Sequence, residues 1–299
     1  MNGYISEPVN LLKMDHRSFK NFLNSFDHVF SDCDGVIWSS GPLPGVGEFF
    51  KLMKKHGKSV HYVSNNSLRT QQDYDEHFQS AQIENGFKNL TIPSVAIAEY
   101  LKLLNFNKKV YCVASVQTSC VLERAGFQCF ETTDAGSDDY MTYSQYLEDD
   151  LDVGAVVFDS DFRVNLPRLY KAMTYLRRPE VLFINGATDA YVQCKPGCLI
   201  LGTGIFTDIV SHEVQRPPVQ LGKPGKLFGE FAMKRAGVTD PSRVLFIGDM
   251  IEQDVGLGKA TGFKTLLVLT NNSKEDMLAH PTLRPDYYAD SLGSIVPLL

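Results

Sequence analysis

Short apolar runs alternate along the chain with segments in which apolar residues recur every three or four positions. The apolar runs predict buried strands at 28–31, 59–63, 110–113, 155–158, 181–184, 243–247 and 264–269. The periodic segments predict helices at 45–56, from 93 onward, and at 117–125, 166–176, 226–236 and 255–261. Because strands that alternate with helices form parallel sheets covered on both faces, we predict an α/β fold.

Polar residues follow several of these strands at the point where each strand ends. They are Asp32 and Asp34 after the first strand, Ser64 and Asn65 after the second, Lys223 before a late helix, and Asp249 with Asp254 after the strand at 243–247. Ligands of open parallel sheets lie outside the carboxyl ends of the strands, so these residues are the candidate site.

Four carboxylates and one amine suit phosphoryl transfer. Carboxylates that lie close together repel one another unless a cation joins them, and hard oxygen ligands suit Mg²⁺. Lys223 can hold a phosphate oxygen as a point charge, and Ser64 and Asn65 can donate hydrogen bonds to the same phosphate. We therefore predict an electrostatic cradle for a transferring phosphoryl group.

The two aspartates at spacing two have separable roles. Residues i and i+2 of an extended strand end point the same way, so both side chains can face one substrate. Asp32 is the candidate nucleophile, which would form an aspartyl-phosphate. Asp34 is the candidate acid that protonates the leaving group and then the base that activates water.

Each of these short motifs also has an ordinary structural interpretation as a turn or a helix cap. An EF-hand calcium loop that began at Asp32 would need a glutamate at its twelfth position, where this chain has Leu43. Cys194 and Cys198 lack both zinc-knuckle spacing and paired histidines. The order of the motifs, each at the end of a strand, favours the catalytic interpretation.

Composition limits the class of protein. The chain has 299 residues, of which 43% are hydrophobic and 21% are charged, which suits a soluble globular protein of one large domain or two. The net charge of −6 argues against a broad nucleic-acid surface. No apolar stretch has the length of a membrane span, and the first twenty residues lack a signal-peptide core, so we expect a cytoplasmic protein.

The four motifs together resemble those of the haloacid dehalogenase-like phosphatases. The segments DCDGVIW, VSNNS, LGKP and IGDMIEQDV are similar to the branch that includes phosphoglycolate phosphatase, pyridoxal phosphate phosphatase and the 4-nitrophenylphosphatases. This resemblance covers the chain from about Phe26 to the C-terminus. It implies a Rossmann-like doubly wound parallel sheet core, at 1–106 and 218–299, with an inserted α/β cap domain at 107–217.

The resemblance also implies roles for matching residues. Asp32 and Asp249 would bind Mg²⁺ with their carboxylates, Asp34 would bind it through its backbone carbonyl, and Asp254 would support the site from nearby. Ser64, Asn65 and Lys223 would hold the phosphate. A small phosphorylated metabolite is then the expected substrate, and a homodimer through the cap is the expected assembly.

Two turns depart from the resemblance, and both lie in or beside the predicted cap. Relatives carry a second asparagine where this chain has Ala187, and a proline where it has Leu201. Asp189 is retained and is the candidate cap residue for substrate contact, although a turn residue fits it equally. The segment 131–152 has eight acidic residues and no lysine or arginine, which predicts a solvated loop or, alternatively, a lid margin that repels multiply charged substrates.

Other functions remain open at the level of sequence. A phosphotransferase or mutase would use the same aspartyl-phosphate, a phosphoprotein phosphatase would act on larger substrates, and a catalytically silent protein would keep the fold alone. The complete acidic set favours an enzyme, and a large cap favours small substrates. Hydrolysis of small phosphate monoesters, with 4-nitrophenyl phosphate as an in vitro substrate, is therefore the leading hypothesis.

Overall fold

The computed structural model describes residues 7–132, 136, 139–187, 189–195 and 198–299. The chain forms two compact units. The first holds the residues up to Ser64, Arg69–Thr91 and Lys223–Leu299, and the second holds Asn65–Leu68 and Ile92–Gly222. Helix Pro93–Leu103 packs within the second unit, so this boundary precedes residue 107. The functional division at 107 and 217 stays a prediction.

The strands, in chain order, are β1 Val9–Asn10, β2 His28–Ser31, β3 Ser59–Val63, β4 Leu90–Thr91, β5 Lys109–Val113, β6 Cys129–Phe130, β7 Val153–Phe158, β8 Leu182–Asn185, β9 Tyr191–Lys195, β10 Cys198–Leu201, β11 Val219–Gln220, β12 Val244–Gly248, β13 Lys264–Val268 and β14 Tyr287–Ala289. Every predicted strand is present within one or two residues of its expected bounds, which confirms the α/β fold class.

The α-helices are α1 His16–Asn24, α2 Val46–Lys55, α3 Gln71–Ser80, α4 Pro93–Leu103, α5 Val116–Arg124, α6 Leu166–Leu176, α7 Thr203–Val214, α8 Lys226–Ala236, α9 Gly256–Thr261, α10 Lys274–Ala279 and α11 Leu292–Ile295. The predicted helix at 255–261 corresponds to α9, which follows a π-helical turn, Ile251–Val255, that was not predicted. Among the described residues, none of the helices has the length and apolar character needed to cross a membrane.

The first unit is built on a seven-stranded sheet in the order β1-β14-β13-β12-β2-β3-β4. All of its strand pairs are parallel. Ile247 of β12 lies opposite Ser31 of β2, and Ser31 lies opposite Tyr62 of β3. The carboxyl ends of these three neighbouring strands are therefore level, which brings the loops that follow them to one edge of the sheet.

Buried aromatic side chains hold the loop after β2 in place. Trp38 is fully buried and packs edge-on against Phe78 of α3, with ring centroids 5.0 Å apart. Phe50 of α2 packs edge-on against Tyr62, and Tyr62 in turn contacts Phe78. Trp38 therefore has a packing role beside this loop.

The second unit has its own parallel sheet, in the order β11-β8-β7-β5-β6, together with the antiparallel hairpin β9-β10. The acidic side chains of its segment 131–152 are mostly exposed where they are described, as expected of a solvated loop. Three of them form ion pairs: Glu131 with Arg168, Asp149 with Arg178, and Asp150 with Lys109. Residues 133–135, 137 and 138 of that segment lie outside the described residues.

Candidate active site

The strand ends position most of the predicted site residues within the first unit. Asp32 follows β2, Ser64 follows β3, and Asp249 follows β12. Lys223 opens the last segment of this unit, shortly before α8. Because β2 lies between β12 and β3, Asp32 is the central member of the group.

Asp254 returns to the end of β12 through the π-helical turn. Its Oδ2 accepts hydrogen bonds from the backbone N–H groups of Asp249 at 3.0 Å and Met250 at 2.9 Å. A side chain at Gly248 would collide with Asp254, so glycine is required where the strand passes under this carboxylate. π-Helical turns are rare and often occur at functional sites.

Lys223 joins two of the carboxylates. Its Nζ lies 2.8 Å from Asp32 Oδ2 and 2.7 Å from Asp254 Oδ1, and all three side chains are buried. Burial alone would lower the pKa of Lys223, but the charges of Asp254 and Asp32 outweigh it and raise that pKa above its usual value. Lys223 is therefore a fixed cation.

Asp32, Asp249 and Asp254 each offer an oxygen to one buried cluster, in which these atoms lie within 4.8 Å of one another. When ionised, three carboxylates and one ammonium have a net charge of −2, which a divalent cation would balance. Burial, with the charge of Asp254, raises the pKa of Asp249 to about 7, and burial also raises the pKa of Asp32 although Lys223 opposes the shift. The raised pKa values mean that burial and mutual repulsion disfavour the charged carboxylates, an effect that a further cation would oppose.

The hydrogen bonds of Asp254 and Asp249 differ. Both oxygens of Asp254 already accept from charged or backbone donors, which suits a supporting role. Asp249 Oδ2 accepts from Asn271 Nδ2 at 2.6 Å, whereas its buried Oδ1 has no hydrogen-bond partner among the described residues. A buried orphan oxygen beside two other carboxylates fits the donor set of a hard divalent cation.

Asp34 lies apart from this cluster. Its carboxylate does not belong to the acidic group found among the described residues, and it forms an ion pair with Arg69 instead. Gly35, the next residue, has a φ of +81°, and a side chain there would meet Asp249 and Asn271. Glycine is thus required at the turn that separates Asp34 from the buried carboxylates.

Ser64 and Asn65 are consecutive in sequence but belong to different units. Ser64 is buried, and its Oγ accepts a hydrogen bond from the Tyr74 hydroxyl at 3.5 Å. Asn65 belongs to the second unit, where its Nδ2 donates to Asp189 Oδ2 at 3.4 Å. Asn65 and Asp189, which are both predicted to contact the substrate, therefore form a hydrogen-bonded pair within the second unit.

Arg69, Asn271 and Asn272 contact site residues but were missing from the sequence prediction. Asn272 Nδ2 donates to the backbone carbonyl of Asp249 at 2.5 Å, beside the bond from Asn271. A signal for both asparagines was present, because they follow the predicted strand at 264–269 just as the other site residues follow theirs. Arg69 lies five residues after Ser64 in the same loop, and charge alone could have drawn attention to it.

Buried aspartates and a buried lysine lie at the carboxyl edge of this parallel sheet. They indicate an α/β enzyme whose own reactive groups are carboxylates. Comparison with known protein families identifies the class of enzyme more closely. A model of the haloacid dehalogenase-like hydrolases matches residues 29–128, and a related HAD-hydrolase-like model matches residues 220–295.

Curated relatives match over nearly the whole chain. Phosphoglycolate phosphatase 2 of Arabidopsis thaliana is 32% identical over 94% of this chain and 96% of its own length. Human glycerol-3-phosphate phosphatase is 27% identical over 93% of this chain and 92% of its own. The solved p-nitrophenyl phosphatase of Archaeoglobus fulgidus has a TM-score of 0.78 and 28% identity over 92% of this chain and 100% of its own. The chain belongs to the haloacid dehalogenase-like hydrolases and is a phosphoric monoester hydrolase of that family.

Proposed function

We propose that this enzyme hydrolyses small phosphate monoesters in a Mg²⁺-dependent reaction that passes through an aspartyl-phosphate on Asp32. The observation that carries the proposal is the buried group of Asp32, Asp249, Asp254 and Lys223 at the carboxyl edge of the first sheet. A buried carboxylate next to a fixed ammonium and an orphan carboxylate oxygen is a site prepared for a phosphate and a cation.

The reaction needs two displacements at phosphorus. An Asp32 oxygen attacks the phosphorus, the bond to the ester oxygen breaks, and Asp34 donates the proton that leaves with the alcohol. Water then attacks the phosphorus of the aspartyl-phosphate, Asp34 takes up the proton of that water, and inorganic phosphate leaves. Both carboxyl groups return to their starting states.

The carboxylates of Asp32 and Asp249 and the backbone carbonyl of Asp34 would hold Mg²⁺, with Asp254 supporting Asp249 and Lys223. When bound, the cation neutralises charge on the phosphoryl oxygens. Lys223, Ser64 and Asn65 would bind those oxygens, and Asp189 would contact the rest of the substrate. The hydrogen bond between Asn65 and Asp189 supports a shared role for this pair.

The nucleophile assignment predicts that Asp32→Asn abolishes Mg²⁺-dependent release of phosphate from 4-nitrophenyl phosphate. The amide cannot attack phosphorus, while Lys223 keeps its partner Asp254, so the fold should survive. Asp27→Asn is the matched control, because Asp27 precedes the same strand at its opposite end and is exposed. Phosphate release by Asp32→Asn at a substantial fraction of the normal rate would refute the assignment.

The names of the relatives support a substrate class. Phosphoglycolate, glycerol 3-phosphate and 4-nitrophenyl phosphate are small monoesters. We propose a phosphorylated metabolite of this kind, with pyridoxal phosphate as a further candidate. Specificity constants for these compounds, sugar phosphates, nucleotides and a phosphopeptide would rank them. Transfer of phosphate to a sugar hydroxyl instead of water would show a phosphotransferase or mutase.

Assembly and location belong to the same proposal. The β9-β10 hairpin exposes Tyr191, Leu199 and Leu201, which supports a homodimer that pairs through the second unit, acting as a cap. Light scattering of the purified chain would give a monomer mass if this is wrong.

We propose a cytoplasmic enzyme, which fractionation of cells would test.

A further inference from the structure

The Asp34 carboxylate is held by a planar fork. Arg69 Nη1 donates to Asp34 Oδ2 at 2.7 Å, and Arg69 Nη2 donates to Asp34 Oδ1 at 2.7 Å. The indole Nε1 of Trp38 donates to the same Oδ1 at 3.1 Å. Three donors on two oxygens fix both the position and the plane of the carboxylate, because a guanidinium binds a carboxylate in a defined bidentate geometry.

The fork itself rests on rigid neighbours. The guanidinium carbon of Arg69 lies 5.9 Å from the Trp38 ring centre and 5.8 Å from that of Tyr74. Trp38 and Tyr74 are both fully buried, and Trp38 packs edge-on against His77 at 5.1 Å. Tyr74 also hydrogen-bonds to Ser64. Arg69 therefore connects a buried aromatic cluster to a carboxylate whose side chain is 42% exposed.

Exposure makes this support necessary. A carboxylate that is open to water on one side would otherwise sample several rotamers, and proton transfer requires an atom in one place. Lys223 and the backbone N–H groups hold the buried carboxylates, whereas Asp34 depends on Arg69 and Trp38. Among the charged residues that contact the site carboxylates, Arg69 has no other role in the proposed reaction.

We propose that Arg69 is a positioning residue for Asp34, which holds the acid–base carboxylate in line with the leaving group. This inference rests on the proposed function, because it assigns Asp34 the proton transfer. Arg69 acts through Asp34 and does not itself bind the phosphoryl group.

The leaving group separates this role from phosphate binding. An alkoxide needs a proton as it leaves, whereas 4-nitrophenolate is stable as an anion and leaves without one. The constant kcat/KM covers the steps up to the first phosphoryl transfer. A residue that positions the acid should therefore affect alkyl phosphates and spare 4-nitrophenyl phosphate, while a residue that binds phosphate should affect both.

We expect Arg69→Met to lower kcat/KM about 10- to 100-fold for glycerol 3-phosphate or phosphoglycolate, which is part of the effect of a general acid. The loss for 4-nitrophenyl phosphate should stay within about threefold. Arg69→Lys keeps the charge without the fork and should recover only part of the alkyl activity. Equal losses on the two kinds of substrate, no loss, or a gain on alkyl phosphates would overturn the proposal.

Arg243→Met is the matched control. Arg243 forms an equally short bidentate pair with Asp27, with both distances at 2.7 Å. Asp27 lies at the amino end of β2, the strand whose carboxyl end precedes Asp34. Its loss should leave both substrates unaffected. In an Asp34→Asn background, Arg69→Met should cause no further loss on alkyl phosphates, since two residues that act through one step are not additive. A further loss of tenfold or more would mean that Arg69 acts on something else.

Fluorescence supplies a readout without turnover, because Trp38 is the single tryptophan of the chain. Arg69→Met should shift or quench the Trp38 emission of the folded, substrate-free protein, and Arg243→Met should not. Unchanged emission in Arg69→Met would overturn the fork. If Arg69→Met unfolds, Arg69→Gln provides the same comparisons. If the unaltered chain hydrolyses neither substrate, the proposed function is wrong. If Asp34→Asn lowers kcat/KM for alkyl phosphates and Arg69→Met does not, only the positioning role of Arg69 is wrong.

Discussion

Asp249 shows how much one atom can indicate about a site. Its Oδ1 is buried without a hydrogen-bond partner among the described residues, while its Oδ2 and backbone carbonyl are held by Asn271 and Asn272. A buried carboxylate oxygen without a donor is unfavourable in the absence of a cation. The two asparagines therefore fix the direction of an oxygen that has no partner of its own.

At this scale we predict that Asn271→Ala weakens Mg²⁺ binding about 10- to 100-fold, since loss of a partner that orients a metal ligand typically has this effect. Isothermal titration of the metal-free protein with Mg²⁺ or Mn²⁺ measures the affinity directly. Asn21→Ala is the control, because Asn21 is exposed on α1. An affinity in Asn271→Ala equal to that of the unaltered protein would show that Asp249 does not need this orientation.

At the scale of elements, a buried ion-pair network ties α6 to the loops of the second unit. Arg168 of α6 pairs with Asp161 at 2.6 Å, and these side chains are 3% and 1% exposed. Arg168 also pairs with Glu131 at 2.9 Å and donates to the backbone carbonyl of Cys112. Glu131 of the acidic segment thus contacts this buried pair, while its own side chain stays 39% exposed, as expected of a solvated loop.

We predict that Arg168→Leu destabilises the second unit by about 3–5 kcal/mol, because it leaves the buried carboxylate of Asp161 without its closest cation. Arg163→Leu is the comparison. Arg163 also pairs with Glu131 and Asp161, but it is half exposed, so its loss should cost less than about 1 kcal/mol. Urea denaturation of both variants measures the free energy of unfolding, and equal values would contradict the role of burial.

At the scale of the whole molecule, His61 gives the stability a pH dependence. Burial, with a smaller contribution from His28, lowers the pKa of His61 from 6.5 to about 4 in the folded chain. Between these values the unfolded chain binds a proton more readily than the folded chain does. Its contribution to stability is therefore complete above pH 6.5 and is lost as the pH falls towards 4.

We expect this loss to be on the order of 1–3 kcal/mol and to decrease in His61→Phe, which keeps the aromatic contact with Phe30. Thermal unfolding of both proteins between pH 4 and 7 tests it. His16→Phe, at the exposed start of α1, should keep the full pH dependence. A His61→Phe variant with an unchanged slope would exclude His61 as the source.

The regular elements could be predicted because their signals are local. The strands β2 and β3 and the helices α6 and α8 have the bounds expected from periodicity and from the glycine after α8. The helices α1, α3 and α7 were not predicted although they have nine, ten and twelve residues. The strands β1, β4, β6 and β11 were not predicted either, and they have two residues each, too few for a period. Their existence depends on neighbouring strands that supply hydrogen bonds, which a single stretch of sequence does not reveal.

The sequence by itself determined the order of Asp32, Ser64, Lys223 and Asp249. It also placed Asp32, Ser64 and Asp249 at strand ends, because strand periodicity is local and parallel strands end at one edge. Only the tertiary structure decided the pairs: Lys223 between Asp32 and Asp254, Asn271 on Asp249, and Arg69 on Asp34. Such pairs depend on distances across the fold, and packing sets those distances after the chain has closed on itself.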